Sequence, residues 1–401
     1  MDKALEGITV LDFSHLLQGP FATQLLADLG ANVIKIERAG PGDLFRSMTF
    51  FAKWVGGSES PNFLAWNRNK RSIALNLKSP EVHAIIMDMA RTADVVVQNF
   101  RPGVMDKLGY GYADFKAVNP GIIYCSGSGY GEDGPYVDRP GQDMLIQGLA
   151  GLAMNTGRGD GPPIPAGAGL ADQIGAMNMV YGILSAIIYR ARTGKGQKVE
   201  VNLLAGLMAH LNQEYVAVLN LGEDFVRPNS GIGHPGIQAP FGIYATRDGK
   251  YVSIAMSPFK VLYTVLEAPH LAPLDDLKTL YDRRDEVWEL VNAETRKFDR
   301  ADLLERLLAA DVWCAEVNDI RSAAHDPQVR HMGMIQSYEH PKAGHVEVVG
   351  PAIRMSETPP AIRRPAPMVG EHGPEILAEY GVPADRIAAL EAAGDMTVER
   401  V

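Results

Sequence analysis

The sequence predicts an α/β protein: a large parallel-sheet domain, doubly wound and Rossmann-like, plus a smaller α+β domain. Three observations predict it. Residues 8–37 read as strand, helix, strand, a βαβ unit whose right-handed crossover implies parallel strands. The same alternation returns over residues 72–99, and a further buried-type strand follows at 122–126. Residues 241–255 break the pattern. They read as a hairpin turning at Asp248-Gly249, and charged helices follow it.

Taken in order, residues 8–13 are rich in β-formers, and residues 19–29 carry helical spacing that stops at Gly30, a natural C-terminal glycine. Residues 32–37 (Asn-Val-Ile-Lys-Ile-Glu) form the second strand. Residues 72–77, 80–92 and 94–99 repeat strand, helix and strand. From 127 to 169 the chain is rich in glycine and proline, with one short apolar stretch at 144–154. A loop-rich segment of that length in a compact domain is usually functional. After Asp172, the residues Ile174, Met177, Tyr181, Leu184 and Ile188 recur at spacings of three and four, which predicts one stripe of a buried helix. Residues 198–201 read as a strand and 203–221 as a helix. Helices are expected at 273–310 and 312–324. From 333 the chain returns to strands, a proline-rich loop and a helix at 374–380. The expected domains are 1–220 for the first part of the large domain, 221–330 for the small one, and 331–401 as the return to the large domain.

With 401 residues, two domains are the default, and 46% hydrophobic with 21% charged residues is the balance of a soluble globular chain. A formal net charge of −10 argues against nucleic acid as a partner. Only two cysteines occur, Cys125 and Cys314, far apart and in no metal-ligand spacing. They fit a reducing cytosol and a cytoplasmic protein. The N-terminal residues show no secretory pattern, and the apolar stretch 177–189 is too short and mixed to span a bilayer. None of the ten histidines forms a metal pair such as His-Glu-x-x-His, so no metal is expected.

The first turn after a strand reads Ser14-His-Leu-Leu-Gln-Gly-Pro20. It lacks the glycine triplet that brings a backbone up to a pyrophosphate, so a nicotinamide cofactor is not expected. Arg38 ends the second strand, where it could meet a phosphate; a solvated arginine is the plainer reading. Residues 67–71 (Asn-Arg-Asn-Lys-Arg), with Lys78 beyond, fit either a phosphate contact or a solvated surface turn. Asn99-Phe-Arg-Pro-Gly103 closes a strand at the sheet edge where ligands of such folds bind, and an aromatic beside an arginine suits an adenine ring and its phosphates. Asp172 lies in Gly167-Ala-Gly-Leu-Ala-Asp172-Gln-Ile-Gly175, at the start of the long helix. Alone it reads first as a helix cap. The other reading is chemical: the helix dipole helps keep the carboxylate ionised, an ionised carboxylate can attack an activated acyl group, and the small residues around it leave room for a bulky acyl ligand.

Taken together, the chain resembles the class III CoA-transferases of the CaiB/BaiF or formyl-CoA transferase type. The resemblance is carried by Leu11-Asp-Phe-Ser14, Gly19-Pro20, residues 26–31, Val33-Ile-Lys-Ile-Glu37, Asn69-Lys-Arg-Ser72 and Asn99-Phe-Arg-Pro-Gly103. Tyr130-Gly131 with Gly134-Pro135, and Thr193-Gly-Lys-Gly-Gln197, complete the set in order. The resemblance implies an interlocked homodimer and an acyl-CoA substrate, with coenzyme A lying between the domains. It puts the catalytic aspartate on Asp172, which would carry a covalent aspartyl intermediate while CoA passes from an acyl-CoA thioester to a small carboxylic acid. It puts CoA contacts on Gln18, Arg38, Leu75, Lys78, Asn99, Phe100, Arg101 and Lys107.

Two departures shape the expectation. The glycine-rich loop of formyl-CoA transferases corresponds here to residues 229–238, which are less glycine-rich; this weakens formate and oxalate as the specific substrates and looks more like the carnitine-type and dicarboxylic-acid members, so a dicarboxylic or hydroxy acid is expected. His234 in this loop could contact an acceptor carboxylate; a structural loop histidine is the plainer reading. Racemases of the same superfamily use a histidine that would fall just before Asp143, where this chain has Gln142, and an amide cannot abstract a proton. An acyl-CoA racemase, isomerase or lyase with Asp172 as a base stays the alternative. In a third reading, a non-catalytic acyl-CoA binder, Asp172 merely caps its helix.

Overall fold

The structure is a computed structural model and describes residues 3–400. The chain forms two compact units. The first gathers the residues up to Ile146, Gly169–Ala209, and those from Gln328 on. The second gathers Gln147–Ala168 and His210–Pro327.

The first unit is built on a seven-stranded sheet. Its parallel strands are β1 (Thr9–Asp12), β2 (Asn32–Arg38), β3 (Arg71–Leu75), β4 (Val95–Gln98), β5 (Ile123–Ser128) and β6 (Lys198–Asn202), in the order β3-β2-β1-β4-β5-β6. A short strand, Met396–Thr397, adds antiparallel to the β3 edge. Alternate residues feed opposite faces. Leu11, Ile34, Ile73 and Val96 pack with Val82, Ile86 and Met89. Val10, Val33, Val95 and Val97 pack with Ala22, Leu26, Ala176, Met179 and Ile183. Burial on both faces is why these strands read as near-continuous apolar runs. The order of growth reverses between β1 and β4. In a doubly wound sheet the ligand crevice opens there, outside the carboxyl ends of the strands.

Four helices matter for the site: α1 (Gln18–Asp28), α2 (Pro80–Ala90), α3 (Asp143–Leu149) and α4 (Leu170–Thr193). The expected apolar stripe on α4 is corrected. Its buried face is Ala171, Gly175, Ala176, Met179, Val180, Ile183 and Ala186, packed on α1, β5 and β6. Met177, Tyr181 and Ile188 are 53%, 66% and 61% exposed. Small residues face the sheet because the backbone approaches closely, and a Cβ on Gly182 would stand 2.7 Å from Val199. By length and composition α4 could cross a membrane, yet one face is part of the core of this sheet.

The basic run at 67–71 is neither a solvated turn nor a free phosphate site; it is buried and paired. Arg68 grips Asp28. Lys70 Nζ donates to Asp12 Oδ2 at 3.1 Å, to the Pro20 carbonyl and to Asn67. Arg71 reaches Glu375 and Glu379.

The second unit carries a three-stranded antiparallel sheet: β7 (Gly242–Ala245), β8 (Tyr251–Ile254) and β9 (Cys314–Glu316). The hairpin turns at Gly249, whose φ of +72° needs no Cβ. Residues 312–324 were expected to be helical throughout; Cys314–Glu316 pairs with β8 instead, and only Ile320–Ala324 is helix. The open edge of a two-stranded hairpin needs a partner, and that tertiary demand overrides the local charge pattern. Residues 203–221 likewise form two helices, Leu203–His210 and Asn212–Leu221.

Candidate active site at the switch point of the sheet

The turn between β1 and α1 is held from three sides. Asn99, just past β4, donates to the His15 carbonyl and accepts from the His15 N–H, both at 2.8 Å. Asp43 accepts from the Leu16 N–H, and Leu16 adopts a φ of +65°, which an L side chain rarely takes. Lys35 Nζ sits 2.8 Å from Asp43 and donates to the Ser14 carbonyl. Beneath them Asp12 accepts from Ser14 and Thr23 as well as Lys70. Burial works against every one of these charges. For Asp12, Lys70 and Lys35 more than offset it and hold the carboxyl below the usual carboxylate range. For Lys35, Asp43, Asp12 and Glu37 do the same and hold the ammonium above the usual lysine range. For Lys70 burial wins, and its pKa falls to about 8.

A cavity of about 840 Å³ opens on this turn at the carboxyl ends of β1, β2 and β3. Arg38, Leu75, Lys78 and Phe100 line it, as do Ser14 and His15. Arg38 and Leu75 are register neighbours on β2 and β3. The His15 ring meets Phe100 edge-on at 4.7 Å. Among the described residues neither Arg38 nor Lys78 has an ion-pair partner, in contrast to the buried cations beneath. A smaller cavity of about 340 Å³, past β4 and β5, is lined by Arg101 and shares Phe100. Lys107 is exposed and lines neither cavity.

The same turn touches the start of α4. A Cβ on Gly169 would lie 3.3 Å from Leu17, and one on Gly175 would lie 2.7 Å from Gln18 Nε2. At the other end of the Gln18 amide, a Cβ on Gly127 would fall 2.6 Å from Oε1. Gln18 is thus threaded between β5 and α4 past two glycines, at either of which a Cβ would press on its amide. Its Nε2 is buried and has no hydrogen-bond partner among the described residues.

Asp172 is the third residue of α4, and it does not cap the helix. The N-cap is Gly169, and the N–H groups of Ala171 and Asp172 are taken by Asp143 Oδ1 at 2.6 and 3.2 Å. Among the described residues nothing donates to the Asp172 carboxylate. Burial first, and the Asp143 carboxylate second, push its pKa up to about 7.

His15, Asp43 and Asp143 were missed by sequence reasoning. Lys35 and Glu37 inside an apolar strand were a usable signal, since a charge in a fully buried strand requires a partner. Asp143 gave none, because its contact with α4 spans a long loop. His234, in the second unit, accepts from the Gly236 N–H at Nδ1, and its Nε2 lies 3.3 Å from Glu214.

The chain matches CoA-transferase family III over residues 5–373. It is 36% identical over 399 residues to succinyl-CoA:glutarate CoA-transferase of Homo sapiens, covering 98% of this chain and 90% of that one. It is 36% identical over 385 residues to acetyl-CoA:oxalate CoA-transferase of Acetobacter aceti, covering 94% and 96%. Among solved structures, a CAIB/BAIF family protein from Brucella suis aligns with a TM-score of 0.82 at 32% identity, covering 95% of this chain and 100% of that one.

Proposed function

The chain belongs to CoA-transferase family III, and from that premise we propose that it moves CoA from an acyl-CoA thioester to a small dicarboxylic or hydroxy acid through a covalent intermediate on Asp172. The observation that carries this reading is the state of Asp172: a half-buried carboxylate, relieved of capping and, among the described residues, without a donor. A carboxylate stripped of donors and water is a stronger nucleophile once ionised.

The Asp172 carboxylate attacks the thioester carbonyl of the donor, and the C–S bond breaks to release CoA thiolate. The thiolate attacks the aspartyl carbonyl of the mixed anhydride, freeing the donor acid and leaving an aspartyl-CoA thioester. The acceptor carboxylate then displaces CoA from this thioester. The thiolate finally attacks the acceptor's acyl carbon, giving the new acyl-CoA and restoring Asp172. Arg38 and Lys78, unpaired at the cavity rim, suit the phosphates of CoA; Leu75 and Phe100 give an apolar wall, and Asn99 fixes the turn. Gln18 Nε2, buried and unpartnered beside α4, suits an acyl oxygen. Arg101, on the smaller neighbouring cavity, offers a further basic contact; Lys107, the other expected CoA contact, lies outside both cavities. The exposed Met177, Tyr181 and Ile188 on α4 support a homodimer, since such a stripe calls for a partner surface. The dicarboxylic part of the acceptor class is supported by the relative named for glutarate, while the relative named for oxalate runs against the expectation drawn from the 229–238 loop.

A mass-spectrometric exchange assay tests this. Wild type and Asp172→Ala are mixed with succinyl-CoA or acetyl-CoA and a panel of free acids. New acyl-CoA from wild type alone supports the reading and names the acceptor. Deuterium uptake from heavy water without exchange would transfer the case to proton-transfer chemistry.

A further inference from the structure

A helix that begins after a glycine N-cap leaves its first N–H groups without an acceptor. Glycine has no side chain to accept, and Gly169 is the N-cap of α4. An acidic residue at the third helical position is well placed to turn back and satisfy such a group, as in a capping box. Asp172 holds that position and does not do so.

We propose that Asp143 is the positioning residue of this site: its carboxylate takes over the capping of α4, so that the Asp172 carboxylate is left free of protein donors and beside a second carboxylate. One oxygen, Oδ1, accepts from both the Ala171 and the Asp172 N–H. Glycine at the N-cap has no side chain that could accept these N–H groups in its place. Asp143 opens α3, so its carboxylate is held on a helical element. Among the described residues it is the only charged side chain that acts on Asp172. The consequence is electronic as well as geometric. A carboxylate kept from hydrogen bonds and set near a like charge keeps its lone pairs available and its basicity high, which favours attack on a thioester and also lets the resulting acyl-aspartyl group be attacked in turn.

The inference rests on the proposed role of Asp172, and two variants separate the two ideas. Asp143→Asn keeps an accepting oxygen and the shape while removing the charge; Asp143→Ala removes both. The readouts are the pH profile of kcat/KM and the yield of hydroxylamine-trapped Asp172 on exposure to acyl-CoA. Asp143→Asn should still be trapped at Asp172, with the acid limb of its profile moved down by about half to one pH unit. Asp143→Ala should lose at least about tenfold in trapping yield, because Asp172 turns back to cap its own helix. An acid limb in Asp143→Asn that stays in place or moves up would overturn the inference, and this variant decides the matter even where Asp143→Ala fails to fold. Failure of the parent reading looks different: wild type would show no label at Asp172, or Asp172→Ala would keep its exchange activity.

Discussion

Two regions of the first unit bury charge, and they treat it in opposite ways. Under the β1–α1 turn, Asp12, Lys35, Asp43 and Lys70 are each met by opposite charges and donors. At the start of α4, Asp172 is met by burial and by another carboxylate. A paired buried charge fixes geometry, because any rotation would strand it without a partner. An unpaired one stores reactivity, because only a substrate can relieve it. The first region holds a backbone turn in an unfavourable conformation at Leu16; the second, touched by the same turn through Leu17 and Gln18, keeps a carboxylate available.

The largest effect should come from removing the unpaired charge. Asp172→Ala is expected to lower exchange turnover by about a thousandfold or more, since a covalent path loses its nucleophile; an activity assay with the purified variant checks it. Breaking the paired region should act on folding. Lys70→Met removes the cation that hydrogen-bonds Asp12, leaving Lys35 as the remaining positive charge, and is expected to destabilise the protein by about 3 kcal/mol, read by denaturant unfolding.

The opposite sign is expected at Asp172. Its folded-state pKa is raised from the ordinary carboxylate range to about 7. A group raised in this way contributes stability at low pH and loses it as pH climbs through that window. Asp172→Asn should therefore match wild type near pH 4 and exceed it by about 1–3 kcal/mol above pH 7, a gap that paired melting curves at the two pH values would reveal. The same pKa sets the acid limb of kcat/KM, which should fall as pH drops through about 7.

The smallest effect belongs to the cavity rim. Arg38→Ala should raise the apparent KM for the CoA thioester by about tenfold and leave kcat nearly unchanged, because a phosphate contact is made alike in ground and transition states. A loss confined to kcat would remove Arg38 from the phosphate-binding role.

How much of this was legible in the sequence depends on distance along the chain. The parallel sheet was readable because each strand carries its own signal: residues 8–13, 32–37, 72–77 and 94–99 are short apolar runs set off by turns, and the structure places strands in all of them. Strand order was implied by the βαβ pattern. The third strand of the small sheet was not legible, since Cys314–Glu316 is extended only because β8 offers it a free edge. The stripe on α4 had the right period and the wrong face: Gly175, Ala176, Met179, Ile183 and Ala186 turned out to be the core side, and Met177, Tyr181 and Ile188 lie outward. Asp172 could be singled out from its setting, but not its freedom from capping. That depends on Asp143, far back along the chain, and no local spacing announces such a contact.

The most direct test of the central claim is to trap the intermediate. The protein is incubated with acyl-CoA and hydroxylamine at pH 7.5 (a value chosen to lie just above the Asp172 pKa of about 7), digested, and its carboxylates are searched by mass spectrometry for a hydroxamate. Modification of Asp172 in wild type, dependent on acyl-CoA, is the result expected. Sustained exchange with Asp172 unmodified, or with the label on another carboxylate, would contradict the account.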